Sequence, residues 1–366
     1  MSLRYRFAVF FLSAFNNQKA FRNLYVVLNI LAIATHVGLA GWGFRSLVNK
    51  DNTLTIYRDV MVRRYSNETI ACDDCAATDW RNQTIVLEKE CTGKWDGLLI
   101  ITASEVWTAF FHVLYIVEYC FFAETPVAWT KLQSHPFRWI EYSVSATLYS
   151  LANMVGIGLR NVYALAFGGV CLVCVQLLGG QAEYAIAQSV FAINRDSTAS
   201  SWRYVVAFSF TVALLLQLAV FAVIGVQIGS SPDGGFTRDD GESFDGFQTQ
   251  VGFYIVQYCF FPFIFAVHWW NVVNPSKERK KTSMSNDSTD QVRKLEESFK
   301  KAELRYIIAG VLTKSQMFVS IFTTVSELYS NYLEIDPPSD TDWQMIRLVT
   351  GSLSVGLFIV GFALSV

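Results

Sequence analysis

Charged residues are scarce in this chain, and neither sign dominates. Only 16% of its 366 residues are Asp, Glu, Lys or Arg, whereas soluble domains carry about 25%. This scarcity, together with a hydrophobic content of 52%, excludes an ordinary soluble domain. The net charge of −2 at pH 7 gives no basic footprint for nucleic acid, so we expect no nucleic-acid partner.

The sequence also lacks the paired motifs that hold metal ions. It has seven Cys and four His but no HExxH, and its second CxxC, formed by Cys171 and Cys174, lies in an apolar run. The CxxC formed by Cys72 and Cys75, followed by Cys91, lacks a fourth ligand for zinc. These three cysteines are instead candidates for one disulfide and a leftover thiol, if their segment faces an oxidising compartment. We therefore expect no metal, and we expect the protein not to be an enzyme.

The chain is instead rich in apolar runs of about 20 residues, the length with which an α-helix crosses a bilayer. Continuous runs of this length favour helices over a barrel. The predicted spans are 23–46, 97–122, 137–159, 162–186, 202–228, 250–273 and 304–330. An eighth run, 344–366, is also long enough to span and lies in a C-terminal extra segment, 333–366. The sequence therefore predicts an all-α membrane protein.

The polar segments predict its orientation. Residues 1–22 resemble a short signal peptide but lack a small-residue cleavage site, so we favour an uncleaved cytoplasmic segment at the membrane surface. The insert 48–96 has alternating stretches typical of a small sheet and glycosylation sequons at Asn67 and Asn82, which favour an extracellular location. Short acidic loops outside and the basic segment 274–303 inside place the N-terminus in the cytoplasm.

One lysine stands out because it lies within the seventh span. Counting from Leu304 at about 1.5 Å per residue puts Lys314 roughly 15 Å deep, near the midplane of a ~30 Å hydrocarbon core. A charge at that depth is costly and rarely incidental. Three explanations are open: an ion pair in a bundle, a water path, or a covalent Schiff base. Burial suits the last, because desolvation favours a neutral, nucleophilic amine.

The carboxylate of Glu141, in the inner half of the third span, can meet the Lys314 amine from a neighbouring helix. Ser145 follows one turn later on the same face. A protonated Schiff base in a low-dielectric pocket needs such a counterion. A plain ion pair is the alternative, but buried ion pairs stabilise proteins poorly compared with apolar packing. The pair therefore favours a functional interpretation.

Four further titratable residues lie within predicted spans. Glu105 and His112 in the second span share one face, about 10 Å apart along the axis. His112 is either a proton acceptor or a hydrogen-bonded core histidine. Glu105, as an unpaired carboxylate in hydrocarbon, and Glu327, in the outer half of span seven, either relay protons outward or are protonated and inert. His36 in the first span is equally well explained as a packing residue.

The sixth span is rich in aromatic residues and contains a proline. Pro262 is expected to kink the helix. Aromatic residues near it, among them Tyr258 and Phe261, can wall a flat apolar ligand, although aromatic residues are common in any membrane helix.

Together these features resemble a microbial-type retinal protein. Within that class the chain is most similar to the heliorhodopsins. The stretch RWIEYSVSATL at 138–148 matches the third-span signature of that family, and YIIAGVLTKSQ at 306–316 matches its retinal-lysine segment. The cytoplasmic N-terminus and the large external insert fit its inverted topology. The resemblance covers roughly residues 20–332, and it departs from the family pattern at Gly310, where the family has a serine.

The resemblance implies a seven-helix rhodopsin bundle over 23–332 that binds all-trans retinal on Lys314. It implies Glu141 as the counterion, Ser145 near the Schiff base and His112 in an inner polar cluster that takes the proton. It also implies a homodimer in which the external insert participates.

We therefore expect a light-activated photoreceptor in the membrane, in which Schiff-base proton transfer drives a conformational signal to a cytoplasmic partner. One rival function is a light-gated or light-driven proton conductor, which Glu105 and Glu327 motivate. The other is a seven-span receptor or transporter without retinal.

Overall fold

The computed structural model describes residues 18–47, 53–65, 83–121, 135–156, 159, 161–193, 199–230, 247–273 and 287–328. Within these ranges the helices are α1 Gln18–Leu47, α2 Gly97–Phe121, α3 Pro136–Gly156, α4 Val162–Ile193, α5 Ala199–Ser230, α6 Phe247–Tyr258, α7 Phe260–Val273 and α8 Asp287–Leu328. The strands are β1 Thr53–Tyr65 and β2 Gln83–Asp96.

Five helical stretches of the described chain are long and apolar enough to cross a membrane. They are Ala20–Leu47, Gly97–Cys120, Val162–Ser189, Ser201–Gln227 and Gly252–Val272. The chain therefore has the α-helical, membrane-type character expected from its composition. The predicted third and seventh spans fall in α3 and α8, which are not among these five because buried charged and hydroxyl side chains interrupt their apolar runs. The seven-span arrangement remains a prediction.

Consecutive helices from α1 to α5 pack against one another, and α8 contacts α1, α2, α3, α4, α6 and α7. As a result, no residue of α8 between 295 and 322 is exposed. The outer helix α5 differs, since Tyr204, Phe208 and Val226 are each at least two-thirds exposed. A helix that other helices surround can carry polar side chains that lipid would not tolerate.

The largest hydrophobic cluster joins α2, α3, α4, α5, α6 and α8. Its fully buried members include Ile101, Tyr149, Leu172 and Phe318. Between helices of membrane type, contacts of this kind stabilise the bundle through van der Waals packing rather than through removal from water. This cluster holds the helices that carry the polar site in a fixed arrangement.

The predicted sixth span, 250–273, is a broken helix. It consists of α6 and α7 with a turn at Cys259 between them. Pro262 has no N–H to donate to the Tyr258 carbonyl four residues earlier. The next amide, that of Phe263, donates to the Cys259 carbonyl at 3.2 Å. The kink expected from Pro262 therefore lies about one turn before it.

The segment 274–303, expected to be a cytoplasmic loop that ends in a charged helical run from Gln291, is helical from Asp287 onward. The prediction missed apolar residues within its charged run. Leu295 is fully buried in a cluster with Ile186, Val206 and Phe265. Packing against α4, α5 and α7 therefore extends the seventh-span helix well beyond its predicted start at residue 304.

The insert 48–96 contains the antiparallel pair β1–β2, which runs the full length of both strands with one irregularity between Ile56 and Tyr57. Cys91 lies in β2. Other predictions for this region and the C-terminus lie outside the described residues, namely those for Asn67, Asn82, Cys72, Cys75 and the segment 333–366.

Candidate functional site

The Lys314 amine lies in a buried polar site where α8, α3 and α2 meet. It forms an ion pair with the Glu141 carboxylate and donates a hydrogen bond to Thr108 Oγ1 at 2.9 Å. Thr108 in turn donates to Glu141 Oε1 at 3.0 Å. Lys314 is 4% exposed and Glu141 is 1% exposed. The pair is therefore enclosed, and each charge depends on the other for neutralisation.

The Glu141 carboxylate is oriented by hydroxyl groups. Ser145, one turn along α3, donates to Glu141 Oε1 at 2.7 Å, as the spacing predicted. Thr108 was not predicted. It lies three residues after Glu105 and four before His112, on the face of α2 that those two residues mark. The hydroxyl group on that face is the signal that could have identified it.

Glu105 forms a second buried polar cluster and is not the unpaired carboxylate that we expected. One of its oxygens contacts His36 Nδ1, and the other accepts a hydrogen bond from the Tyr149 hydroxyl. The neighbouring helices supply these partners, which no local pattern in α2 could indicate. His36 is thus a buried, hydrogen-bonded residue between helices, which agrees with the packing role that the sequence left open.

His112 lies beside this second cluster. Its Nδ1 is 2.7 Å from Asn29 Oδ1, and its ring stacks on that of His36 with centroids 5.6 Å apart. His112, Glu141 and Lys314 also line one small polar cavity. The structure therefore brings His112 close to the ion pair, as the sequence predicted. The side chain of Glu327 lies outside the described residues, so a relay between it and Glu105 remains a prediction.

Two neighbouring, mainly apolar cavities, here together called the aromatic cavity, share lining residues, and the nearer one is lined by Lys314. Its near part is lined by Tyr142, Tyr149, Thr313 and Met317. Gln176, Tyr258 and Phe261 line both the near part and a larger part between α4, α5 and α7. The larger part is also lined by Trp139, Phe210, Leu214, Gln217, Pro262 and Phe265. Of the predicted pocket residues, Tyr258 and Phe261 therefore line the part that contains Lys314, whereas Pro262 lines only the larger part.

Tyr142 is a site residue that the sequence did not reveal. Its ring centroid is 5.0 Å from Lys314 Nζ, and its hydroxyl donates to the Tyr306 carbonyl at 2.9 Å. A Cβ atom at Gly310 would lie 3.1 Å from the Tyr142 hydroxyl. The glycine therefore leaves room for the tyrosine at the position where the heliorhodopsin pattern has serine.

A third polar group, here called the Arg138 cluster, consists of Arg138, Glu183 and Glu303. The guanidinium pairs with both carboxylates, so that it links α3, α4 and α8. All three side chains are at least nine-tenths buried. The sequence-based prediction did not include these residues, although charged residues in apolar spans are a signal in themselves. Within the described residues, no group of three or more His, Cys, Asp or Glu side chains is arranged to hold a metal ion.

A comparison with models of protein families finds no match for the chain. A comparison with curated proteins finds no match either. The assignment of function therefore rests on the geometry of the site and on the resemblance in sequence.

Proposed function

We propose that this chain is a retinal-binding, light-activated photoreceptor of the heliorhodopsin type. The observation that carries the proposal is a buried lysine amine, paired with a carboxylate, at the end of an aromatic cavity. A purely structural ion pair accounts for the contact between Lys314 and Glu141. It gives no reason for an apolar cavity to begin at the amine.

The residues present fit all-trans retinal on two counts. The Lys314 amine can condense with the retinal aldehyde, releasing water and leaving an imine nitrogen beside Glu141 and Thr108. The flat aromatic walls of the cavity, among them Tyr142 and Phe261, suit a conjugated apolar chain. When bound, retinal would supply visible absorption and light-driven isomerisation.

The protein's own groups hold and move the proton of that imine. Glu141 balances the positive charge of the protonated nitrogen. Ser145 and Thr108 keep the carboxylate aimed at it through hydrogen bonds of 2.7 and 3.0 Å. His112, which shares a small polar cavity with Lys314 and Glu141, is the proposed acceptor when the nitrogen loses its proton.

We further propose that α3 and α8 complete a seven-span bundle with the five apolar stretches. The N-terminus would be cytoplasmic and the 48–96 insert extracellular. The active form would be a homodimer in the membrane that signals to a cytoplasmic partner. The orientation is supported by the charge pattern of the loops, and the seven-span bundle and the homodimer are supported by the resemblance in sequence.

The decisive test is a visible spectrum of the protein expressed with all-trans retinal. The parent and Lys300→Ala should be coloured, whereas Lys314→Ala should be colourless. Lys300 is a suitable control because it is a buried lysine of the same helix that pairs with Glu296 at 2.7 Å, away from the cavity. A colourless parent, which a receptor or transporter without retinal predicts, would refute the proposal. Colour retained by Lys314→Ala would refute it equally.

A light-gated or light-driven proton conductor is the second candidate. It is favoured by the buried chain of titratable groups in which Glu105 joins Tyr149 to His36, and His36 stacks on His112. Such a chain offers successive proton sites within hydrogen-bond or stacking reach. Photocurrent under voltage clamp distinguishes this function from a sensor without net transport.

A further inference from the structure

We propose that Trp139 is a positioning residue that couples the aromatic cavity to the Arg138 cluster through its indole N–H. The inference rests on the proposed function, because the cavity must hold a chromophore that changes shape. It goes further by assigning the first step through which that change leaves the cavity.

The indole ring of Trp139 is held between the cavity and α4. It lines the larger part of the aromatic cavity, and the ring also lies against Gly179 and Gly180 of α4. A Cβ atom at Gly179 would collide with Trp139 Cζ3. The two glycines thus form a flat seat for the indole, so that a ligand in the cavity would displace the ring along this seat rather than towards α4.

The indole N–H connects that seat to the buried charges. It donates to Glu183 Oε2 at 2.8 Å, while the other Glu183 oxygen pairs with Arg138. The guanidinium carbon lies 5.2 Å from the centroid of the Trp139 ring, and the same guanidinium pairs with Glu303 on α8. One hydrogen bond therefore joins the cavity wall to an ion-pair cluster that spans three helices.

The Arg138 cluster has an alternative arrangement available. Among the described residues, Arg138 Nε is buried without a hydrogen-bond partner. Glu183 Oε2 also accepts a hydrogen bond from the His135 backbone N–H at 3.3 Å. If the indole moves and withdraws its N–H, that oxygen keeps only this longer bond, and Glu183 can gain a replacement from Arg138 Nε. The exchange is favoured because one hydrogen bond to a charged group changes the balance between two arrangements about tenfold or more. A shift of Trp139 therefore repositions Arg138 and, through it, Glu303 on α8.

Light-minus-dark infrared difference spectroscopy tests this coupling. In the parent we expect a carboxylate difference band that Glu183→Gln removes, which assigns it. In Trp139→Phe, which keeps an aromatic wall but deletes the N–H, that band should be lost relative to the chromophore bands of the same sample. Trp107→Phe is the matched control, since the Trp107 indole N–H is buried without a partner in the described structure. It should keep the band.

The outcomes separate this inference from the proposed function. A colourless parent refutes the photoreceptor itself. A coloured parent with no Glu183 band, or a Trp139→Phe protein that keeps the band at parental amplitude, overturns the coupling alone.

If Trp139→Phe forms no pigment, two glycine variants of α4 decide the question. Gly179→Ala displaces the indole from its seat and should shift or abolish the Glu183 band. Gly169→Ala should leave the band unchanged, because its nearest contact would be an ordinary 3.6 Å to Leu151. Identical bands in both glycine variants would overturn the proposal.

Discussion

Replacing the Glu141 carboxylate by an amide tests the electrostatics of the site most directly. Glu141→Gln keeps the shape of the side chain but leaves the positive charge on Lys314, which is 4% exposed, or on its imine without a charged partner. Removing one member of a buried ion pair costs about 3–5 kcal/mol. At about 1.36 kcal/mol for each pH unit, this equals roughly 2–4 pH units.

The direction follows from which form the carboxylate favours. The negative charge stabilises the protonated imine, so its removal makes the imine lose its proton at a lower pH. In a titration followed by visible absorption, the midpoint pH at which the colour of the protonated form is lost should therefore be about 2–4 pH units lower than in the parent.

The control is Glu118→Gln, which likewise replaces a buried carboxylate by an amide. Glu118 lies on α2, about 15 Å along the helix axis from Thr108, and is therefore far from the ion pair. It should titrate like the parent. An unchanged midpoint in Glu141→Gln, or an equal shift in the control, would remove Glu141 from the counterion role.

Three further changes probe the surrounding structure. Thr108→Val removes the hydroxyl that bonds both members of the ion pair, so the same titration should shift downward by about one pH unit; no shift would show that the hydroxyl is dispensable. Glu105→Gln should abolish any photocurrent, and a current of parental size would exclude a relay through Glu105. Gly43→Ala places a Cβ atom against Thr102 Oγ1, where there is no room for it, and should destabilise the protein by about 1–3 kcal/mol in thermal unfolding. The control is Gly38→Ala, whose added Cβ atom would have nothing within 4 Å, and it should change stability by no more than about 1 kcal/mol. Equal melting temperatures for the two glycine variants would contradict the close approach of α1 to α2 at Gly43.

Much of the fold could be predicted because apolar run length determines where a membrane-type helix lies. The run 97–122 became α2 almost to the residue, and Pro262 indicated the break between α6 and α7. The charged helical run 291–303 was predicted, but its continuity with the seventh span was not, because hydropathy registers the charges around Leu295 and not the packing of Leu295 against other helices. Local pattern thus located helices well and their tertiary extensions poorly.

The candidate site was predictable where both partners carry a costly buried charge. Lys314 and Glu141 are conspicuous because each places a charge in an apolar run, which is costly unless an opposite charge lies beside it. Each of the two residues therefore predicts the other as its partner. The partners of Glu105 were not predictable, since no periodicity relates it to His36 on another helix. Arg138 lay within the stretch that carries the resemblance, but its role as a link between helices requires three-dimensional contacts.

The enclosure of α8 has a consequence for how the protein is made. A segment with Lys314 near its middle partitions poorly into lipid, since a centrally placed basic residue costs about 2.5–3.5 kcal/mol on insertion. The neighbouring helices α2 and α3 supply the Thr108 hydroxyl, the Glu141 carboxylate and the Tyr142 ring that compensate this cost. If α8 spans the membrane as proposed, its stable integration depends on α2 and α3 already lying beside it, and chains that lack either helix should be cleared by quality control before the lysine finds its partner.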